Sequence, residues 1–235
     1  MNKKFDAELA KVEGLRWIPW VGDNYENASC KVLLVGESVY ASNASVDPGE
    51  HYDNINSNPD YVRVRNVEWW AGEGGQAKFP KNIYDILTMS NPNMTKDKFW
   101  NGVAFTEVIQ EAIPDSKDRS RTENQFVKGL LSLYKTIEIL SPDIVIFFGS
   151  SAMMNDNYLP SKKVLGEDAV ECQFIDYVYA SSRKYPLREI LNCGVRYIGL
   201  PHPSLPTMSS NDNKKEWHNL LIKHAPGVIS YFNSL

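Results

Sequence analysis

The sequence predicts an α/β fold, a three-layer α/β/α sandwich around a central, mostly parallel sheet. Three apolar, β-branched runs, at 31–35, 143–148 and 195–200, each stop at a glycine or a proline turn. That is the pattern of buried central strands entering tight turns. Stretches with helical apolar spacing separate the runs, and alternating strands and helices build a parallel sheet covered on both faces. No internal repeat or low-complexity linker divides the chain, so residues 1–235 read as one domain.

Each element has its own signal. Residues 5–13 place Phe5, Leu9 and Val12 on one side of a short amphipathic helix. Residues 17–25 follow as an ordered loop whose Trp17, Pro19 and Trp20 pack against the domain. After the first strand, residues 41–60 are rich in Asn, Ser, Asp, Pro and Gly and predict a long exposed loop, a feature usually functional or mobile in compact domains. Segments 80–90 and 95–100 read as helices, and Gly102-Val103-Ala104-Phe105 as the entry to a further strand. Residues 123–140 carry Phe126, Leu130, Leu133, Tyr134, Ile137 and Leu140 at helical spacing, with Ser120 or Thr122 as cap and Ser141-Pro142 as stop. Residues 150–160 begin another helix or turn, 185–193 read as a short helix, and 211–225 as the last helix.

Composition narrows the function classes. At 43% hydrophobic and 23% charged residues the chain matches the globular average, which argues against disorder. A net charge of -4 and a pI near 5.6 lack the basic excess of a strong nonspecific DNA binder. Any basic patch must be local, and Arg63/Arg65, Arg119/Arg121, Lys162/Lys163, Arg183/Lys184 and Lys214/Lys215 are the candidate pairs, each read first as a solvated surface pair. Cys30, Cys172 and Cys193 show no disulfide framework or zinc spacing and cannot supply the four thiolates of an iron–sulfur cluster. A reducing cytoplasm is the expected compartment. The first 14 residues lack the unbroken apolar core of a signal peptide, and no stretch reaches the roughly 20 apolar residues of a membrane span. The expectation is a cytoplasmic monomer with no membrane partner and no cofactor.

Ligands of open α/β sheets bind beyond the carboxyl ends of the strands. The residues there are Glu37, Ser38 and Tyr40, then Gly149, Ser150 and Ser151, then His202 and Ser204. Prolines 201, 203 and 206 stiffen the last loop and restrict the His202 imidazole. His51 lies near Asp47, Glu50 and Asp53, but that spacing matches no standard metal motif, and no metal site is expected. His218 and His224 read as surface residues of the last helix. Trp69-Trp70, followed by Ala71 to Gly75, reads as an exposed flap. Trp17, Trp20 and Trp100 fit core or loop-anchoring roles better than a stacking surface.

Val35-Gly36-Glu37-Ser38, Val103-Ala104-Phe105, Ser141-Pro142-Asp143-Ile144-Val145 with Gly149, and Leu200-Pro201-His202-Pro203-Ser204 occur in the order seen in uracil-DNA glycosylase-like proteins. The chain resembles that superfamily over roughly residues 17–220, and most closely a branch whose first motif begins Gly-Glu-Ser. The resemblance implies a DNA or nucleobase-containing ligand, a base flipped out of the stack and an N-glycosidic bond cleaved by water. By motif, His202 would donate to the departing base, Glu37 would orient water or stabilise the sugar cation, and Ser38 would help orient water. Tyr40 or Phe105 would stack on the base, Ser204 would line its site, and Leu205 would wedge into the duplex gap.

Three departures qualify this. Ser38 stands where many active members carry Asp or Asn, and it is a poor base. Members with Glu at the place of Glu37 commonly carry an iron–sulfur cluster, which three cysteines cannot hold. Glu107 stands where many members read the base with Asn; ionised, it would only accept hydrogen bonds and would repel the O4 of uracil. A noncatalytic module that binds a base, nucleotide or nucleic-acid end is therefore the alternative expectation. A metabolite pocket on a shared fold is the third.

Overall fold

The computed structural model describes residues 1–41, 48–72, 77–114, 122–149, 173–180, 183–192, 195–205 and 210–235. Its strands are β1 (Trp20–Val21), β2 (Val32–Gly36), β3 (Tyr40–Ala41), β4 (Val103–Glu107), β5 (Ile113–Pro114), β6 (Ile144–Phe148), β7 (Gln173–Ala180), β8 (Arg183–Asn192) and β9 (Val195–Leu200). Its α-helices are α1 (Asp6–Leu9), α2 (Pro48–Ser57), α3 (Trp69–Ala71), α4 (Lys78–Thr88), α5 (Lys96–Asn101), α6 (Glu123–Leu140), α7 (Asn211–His224) and α8 (Pro226–Ser234), with a π-helical segment at Tyr61–Glu68.

The apolar runs pair where their burial requires. A seven-stranded sheet has the order β1-β4-β2-β6-β9-β8-β7. Its four inner strands, β4, β2, β6 and β9, are parallel, while β1, β8 and β7 add antiparallel edges. The centre is parallel as the sequence predicts; the flanks are not, so the whole sheet is mixed. Gly36 pairs with Glu107, Val35 with Phe147, and Phe148 with Leu200, so the inner strands end side by side.

Alternate side chains of a strand point to opposite faces, and each face carries its own core. On one, Val32, Leu34, Phe105, Ile146, Phe148 and Leu200 pack with Ile83 and Ile86 of α4, Phe99 and Trp100 of α5, Trp217 and Leu221 of α7, and Phe232 of α8. On the other, Leu33, Val35, Ala104, Val145 and Phe147 meet Leu9 of α1 and Phe126, Leu130, Leu133, Ile137 and Leu140 of α6. Burying each large aliphatic or aromatic side chain stabilises the fold by about 1.5–3 kcal/mol. Helix α6 starts where its cap predicts: Thr122 and Gln125 form a reciprocal capping box, and Ser141, in the left-handed region at φ 46°, ends it before Pro142.

Several sequence expectations are corrected. Residues 185–193 are not a helix; Arg183–Asn192 is strand β8 between β7 and β9. Residues 41–60 are not all loop, because α2 covers Pro48–Ser57. The helix expected over 5–13 shortens to Asp6–Leu9, and the loop at 17–25 contributes β1. A final helix, α8, follows the one expected to be last. Residues 150–160, with Ser150 and Ser151, lie outside the described residues, as do Arg119/Arg121, Lys162/Lys163, Cys172, Cys193 and Pro206.

Two cations expected at the surface are buried instead. Arg63 donates from Nε to the Pro19 carbonyl at 2.8 Å and pairs with Asp6 at 2.5 Å, tying the π-helical segment to α1. Lys214 bonds Asp85 at 2.6 Å, joining α7 to α4. His218 is likewise buried, with Nδ1 2.7 Å from the Ile86 carbonyl and Nε2 3.1 Å from Ser90 Oγ. His224 is partly buried and pairs with Asp176 at 2.8 Å. Among the described residues, no helix is long and apolar enough to cross a membrane.

Candidate functional site

The four parallel strands deliver the site residues in sheet order: Glu107 closes β4, Glu37 follows β2, Gly149 follows β6, and His202 lies two residues past β9. This is the carboxyl edge at which open α/β sheets bind ligands. Gly149 is the meeting point. A Cβ built on it would lie 3.4 Å from Oε2 of Glu37 and 3.8 Å from Cδ2 of His202. Its φ of +99° is a conformation that side-chain-bearing residues rarely adopt. Glycine is required here by the turn out of β6, and a Cβ would make ordinary van der Waals contact with both side chains.

His202 is held by its own loop and by α4. Pro201 and Pro203 are buried around the partly buried imidazole. The Ser204 amide donates to Nδ1 at 3.2 Å, and the Leu205 amide closes the turn on the His202 carbonyl at 3.0 Å. A nitrogen that accepts from an amide carries no proton, so the ring is neutral with its N–H at Nε2. Asn82 of α4, itself buried, donates from Nδ2 to the Pro203 carbonyl at 2.6 Å. One turn earlier, the Phe79 ring lies 5.3 Å from the imidazole and also contacts Phe105 and Phe148.

Glu37 and Glu107 put two carboxyls at adjacent strand ends, 6% and 4% exposed. The Glu107 carboxyl lies across Gly36, where any Cβ would collide with it. Burial first, and then the neighbouring Glu37 charge, raise its pKa well above the ordinary carboxyl value. Burial and the Glu37 charge both favour its protonated form, which carries one O–H donor and one carbonyl acceptor. This shift runs against the sequence reading of Glu107 as an ionised, acceptor-only group. The backbone around it is fixed: Val108 N–H donates to the Gly36 carbonyl at 3.0 Å, Ile109 N–H to the Glu37 carbonyl at 3.0 Å, and Gln110 Nε2 to the Glu107 carbonyl at 2.5 Å.

The remaining expected site residues divide. Ser38 is buried and donates its hydroxyl proton to the Glu111 carbonyl at 2.8 Å, linking the segments that follow β2 and β4. That bond commits the proton to a structural contact. Phe105 is fully buried and ringed by Trp70, Phe79 and Trp100, so it is a core aromatic, and Phe79 is the one that reaches His202. Tyr40, on β3, is partly buried against the cluster beneath α6. Ser204 and Leu205 are exposed beside His202.

Of the Trp69-Trp70 pair, Trp70 is buried 5.5 Å from Phe79 and Trp69 is 54% exposed, which corrects the reading of both as a flap; residues 73–76 lie outside the described residues. Phe79 and Asn82 were missed in the sequence. Their spacing of three on a helix was the available signal, but nothing in the sequence tied that helix face to the His-Pro-Ser loop.

A separate cavity of about 480 Å³ opens between Gly14-Leu15-Arg16, Ile109-Gln110-Glu111 and the first turns of α6. None of Glu37, Glu107 and His202 lines it. Among the described residues no group of three or more His, Cys, Asp or Glu side chains is arranged to hold a metal ion; the His51 side chain lies outside that description. The Cys30 thiol is partly buried, which pushes its pKa up to about 11 and leaves it a poor nucleophile at neutral pH. Comparison with models of known protein families and with curated proteins finds no match to this chain.

Proposed function

We propose that this protein is a uracil-DNA glycosylase-like hydrolase, built as a three-layer α/β/α sandwich, that cleaves the N-glycosidic bond of a flipped, damaged or deaminated base in DNA. The observation that carries this reading is the convergence of Glu37 and His202 on Gly149 at the carboxyl edge of the parallel strands. Bond cleavage sends the C–N electron pair onto the base and leaves the sugar with oxocarbenium character, and water then adds to the sugar carbon, its released proton ending on the base anion. Two developing charges need partners. The Nε2–H of a neutral His202 supplies a donor for the oxygen of the departing base, and a preorganised donor of this kind is worth about 100- to 1,000-fold in rate. The Glu37 carboxylate supplies a negative charge for the sugar cation. Leu205, 39% exposed beside His202, is the residue this reading assigns as the wedge for the gap left by the flipped base.

A second reading keeps the site and drops the chemistry: a noncatalytic module that binds a base, nucleotide or nucleic-acid end. The commitment of the Ser38 hydroxyl proton to the Glu111 carbonyl favours it, since that proton is not then offered to a water.

Oligonucleotides carrying uracil, hypoxanthine or xanthine, single- and double-stranded, separate the two. Formation of an abasic site in any of them, lost in Glu37→Gln, supports the hydrolase. Binding without abasic sites at high protein concentration supports the module.

A further inference from the structure

Glu107 has no role in the chemistry above, yet it is among the most deeply buried polar side chains in the protein. The buried cations have evident structural partners: Arg63 has Asp6 and the Pro19 carbonyl, and Lys214 has Asp85. Glu107 Oε2 is buried with no hydrogen-bond partner among the described residues. Such an atom costs about 1–3 kcal/mol unless something satisfies it. The glycine at position 36 makes the placement possible, because any larger residue would displace the carboxyl. Three hydrogen bonds, from Val108, Ile109 and Gln110, hold the chain around it. A polar group kept unpartnered in a rigid setting, at the strand ends where Glu37 and His202 converge, is arranged for a ligand.

We propose that Glu107 is a specificity residue of this site and binds its ligand as a neutral carboxylic acid, pairing with a heterocycle edge that presents a donor and an acceptor side by side. This inference rests on the base-binding reading above. A carboxylate could only accept, and would suit an edge with two donors. The acid donates one bond and accepts another, which matches the N–H and C=O of a lactam or the ring nitrogen and amino group of an amidine. Glu37 lies at the adjacent strand end, and a second charge beside it in a buried site is disfavoured. In this reading the two carboxyls take complementary roles, Glu37 toward the sugar and a protonated Glu107 toward the base.

The experiment is calorimetric titration of the full-length protein with free uracil and free cytosine at neutral pH, with thermal melts as a folding control. Glu107→Leu, which removes both donor and acceptor, should weaken uracil binding by about tenfold or more. Glu107→Gln, which restores a donor and an acceptor but cannot imitate a carboxylate, should bring affinity back to within about threefold of wild type. Loss of binding in Glu107→Gln as complete as in Glu107→Leu would overturn the neutral-acid assignment. Wild-type affinity in both variants, with loss in His202→Ala, would remove Glu107 from the site while leaving the site intact. Wild-type protein that binds neither base would overturn the base-binding reading, and this inference with it.

Discussion

Glu37 and His202, from opposite ends of the chain, approach one point beside Gly149, the first to 3.4 Å and the second to 3.8 Å. No local interaction brings them together. The parallel order β2-β6-β9 does, by ending three strands side by side, and the positive-φ glycine after β6 makes the turn between them. Gly149→Ala tests that arrangement. The new residue would sit at a φ suited to glycine, with its Cβ against both side chains. A loss of roughly 1–3 kcal/mol in thermal or denaturant unfolding is expected from the backbone alone.

Gly36 and Glu107 should prove energetically coupled. Gly36→Ala drives a methyl group into the Glu107 carboxyl, so its effect depends on what stands at position 107. In a double-mutant cycle, Gly36→Ala should destabilise wild type markedly more than it destabilises Glu107→Ala. Equal losses in both backgrounds would mean that the two residues do not press on each other.

The pH dependence of stability has two opposing contributions. Glu107 keeps its proton in the folded protein to a pH well above 4.5, whereas the unfolded chain releases it near that value. Folding stability from this group therefore falls as pH rises from 4.5 toward the raised native value. Glu107→Gln removes that loss, and should melt higher than wild type at pH 7 while matching it near pH 4. A Gln variant less stable than wild type at pH 7 would show that Glu107 is ionised and partnered.

Asp6 acts in the other direction. Its hydrogen bonds and ion pair with Arg63 hold its carboxyl below 3.8, so its contribution is present above 3.8 and disappears as pH falls through the lowered native value. Asp6→Asn should be destabilised at pH 7, with the difference from wild type closing in strong acid. A gap that stays constant with pH would assign the effect to packing.

Asn82 links α4 to the His-Pro-Ser loop through the Pro203 carbonyl. Asn82→Ala leaves that carbonyl buried without its partner, and a loss of about 1–3 kcal/mol in stability is expected. Proteolysis or hydrogen exchange should show the opening centred on residues 201–205. Uniform exposure across the fold would show that Asn82 serves the core instead of the loop.

What was legible in the sequence follows from range. The cores of β2, β6 and β9 are continuous apolar runs, and such runs belong in a buried parallel sheet whatever else the chain does. The cap at Thr122 and the stop at Ser141-Pro142 are local codes, and they bounded α6 correctly. Strand β8 failed because Leu187, Ile190 and Leu191 stand at helical spacing, while pairing with β7 and β9 imposes an extended chain. Helix α8 was missed because Pro226-Gly227 reads as a terminus, although proline is at home in a first helical turn. Lys214 and His218 look like surface residues until Asp85 and the Ile86 carbonyl of α4 satisfy them. At the site, the strand-end rule located Glu37 and His202, and Glu107 came only from the resemblance. The charge state of Glu107 could not be read from residue type, because it depends on burial against Gly36 and on Glu37.

The most direct test of the central claim is single-turnover base release by wild type and by His202→Ala, from single-stranded oligonucleotides that each carry one deaminated base. Wild type should release the base and leave an abasic site, and the variant, folded to the same melting temperature, should be at least about 100-fold slower. Equal rates in the two proteins, or no release by wild type from any deaminated base, would contradict the assignment of Glu37 and His202 as the catalytic pair.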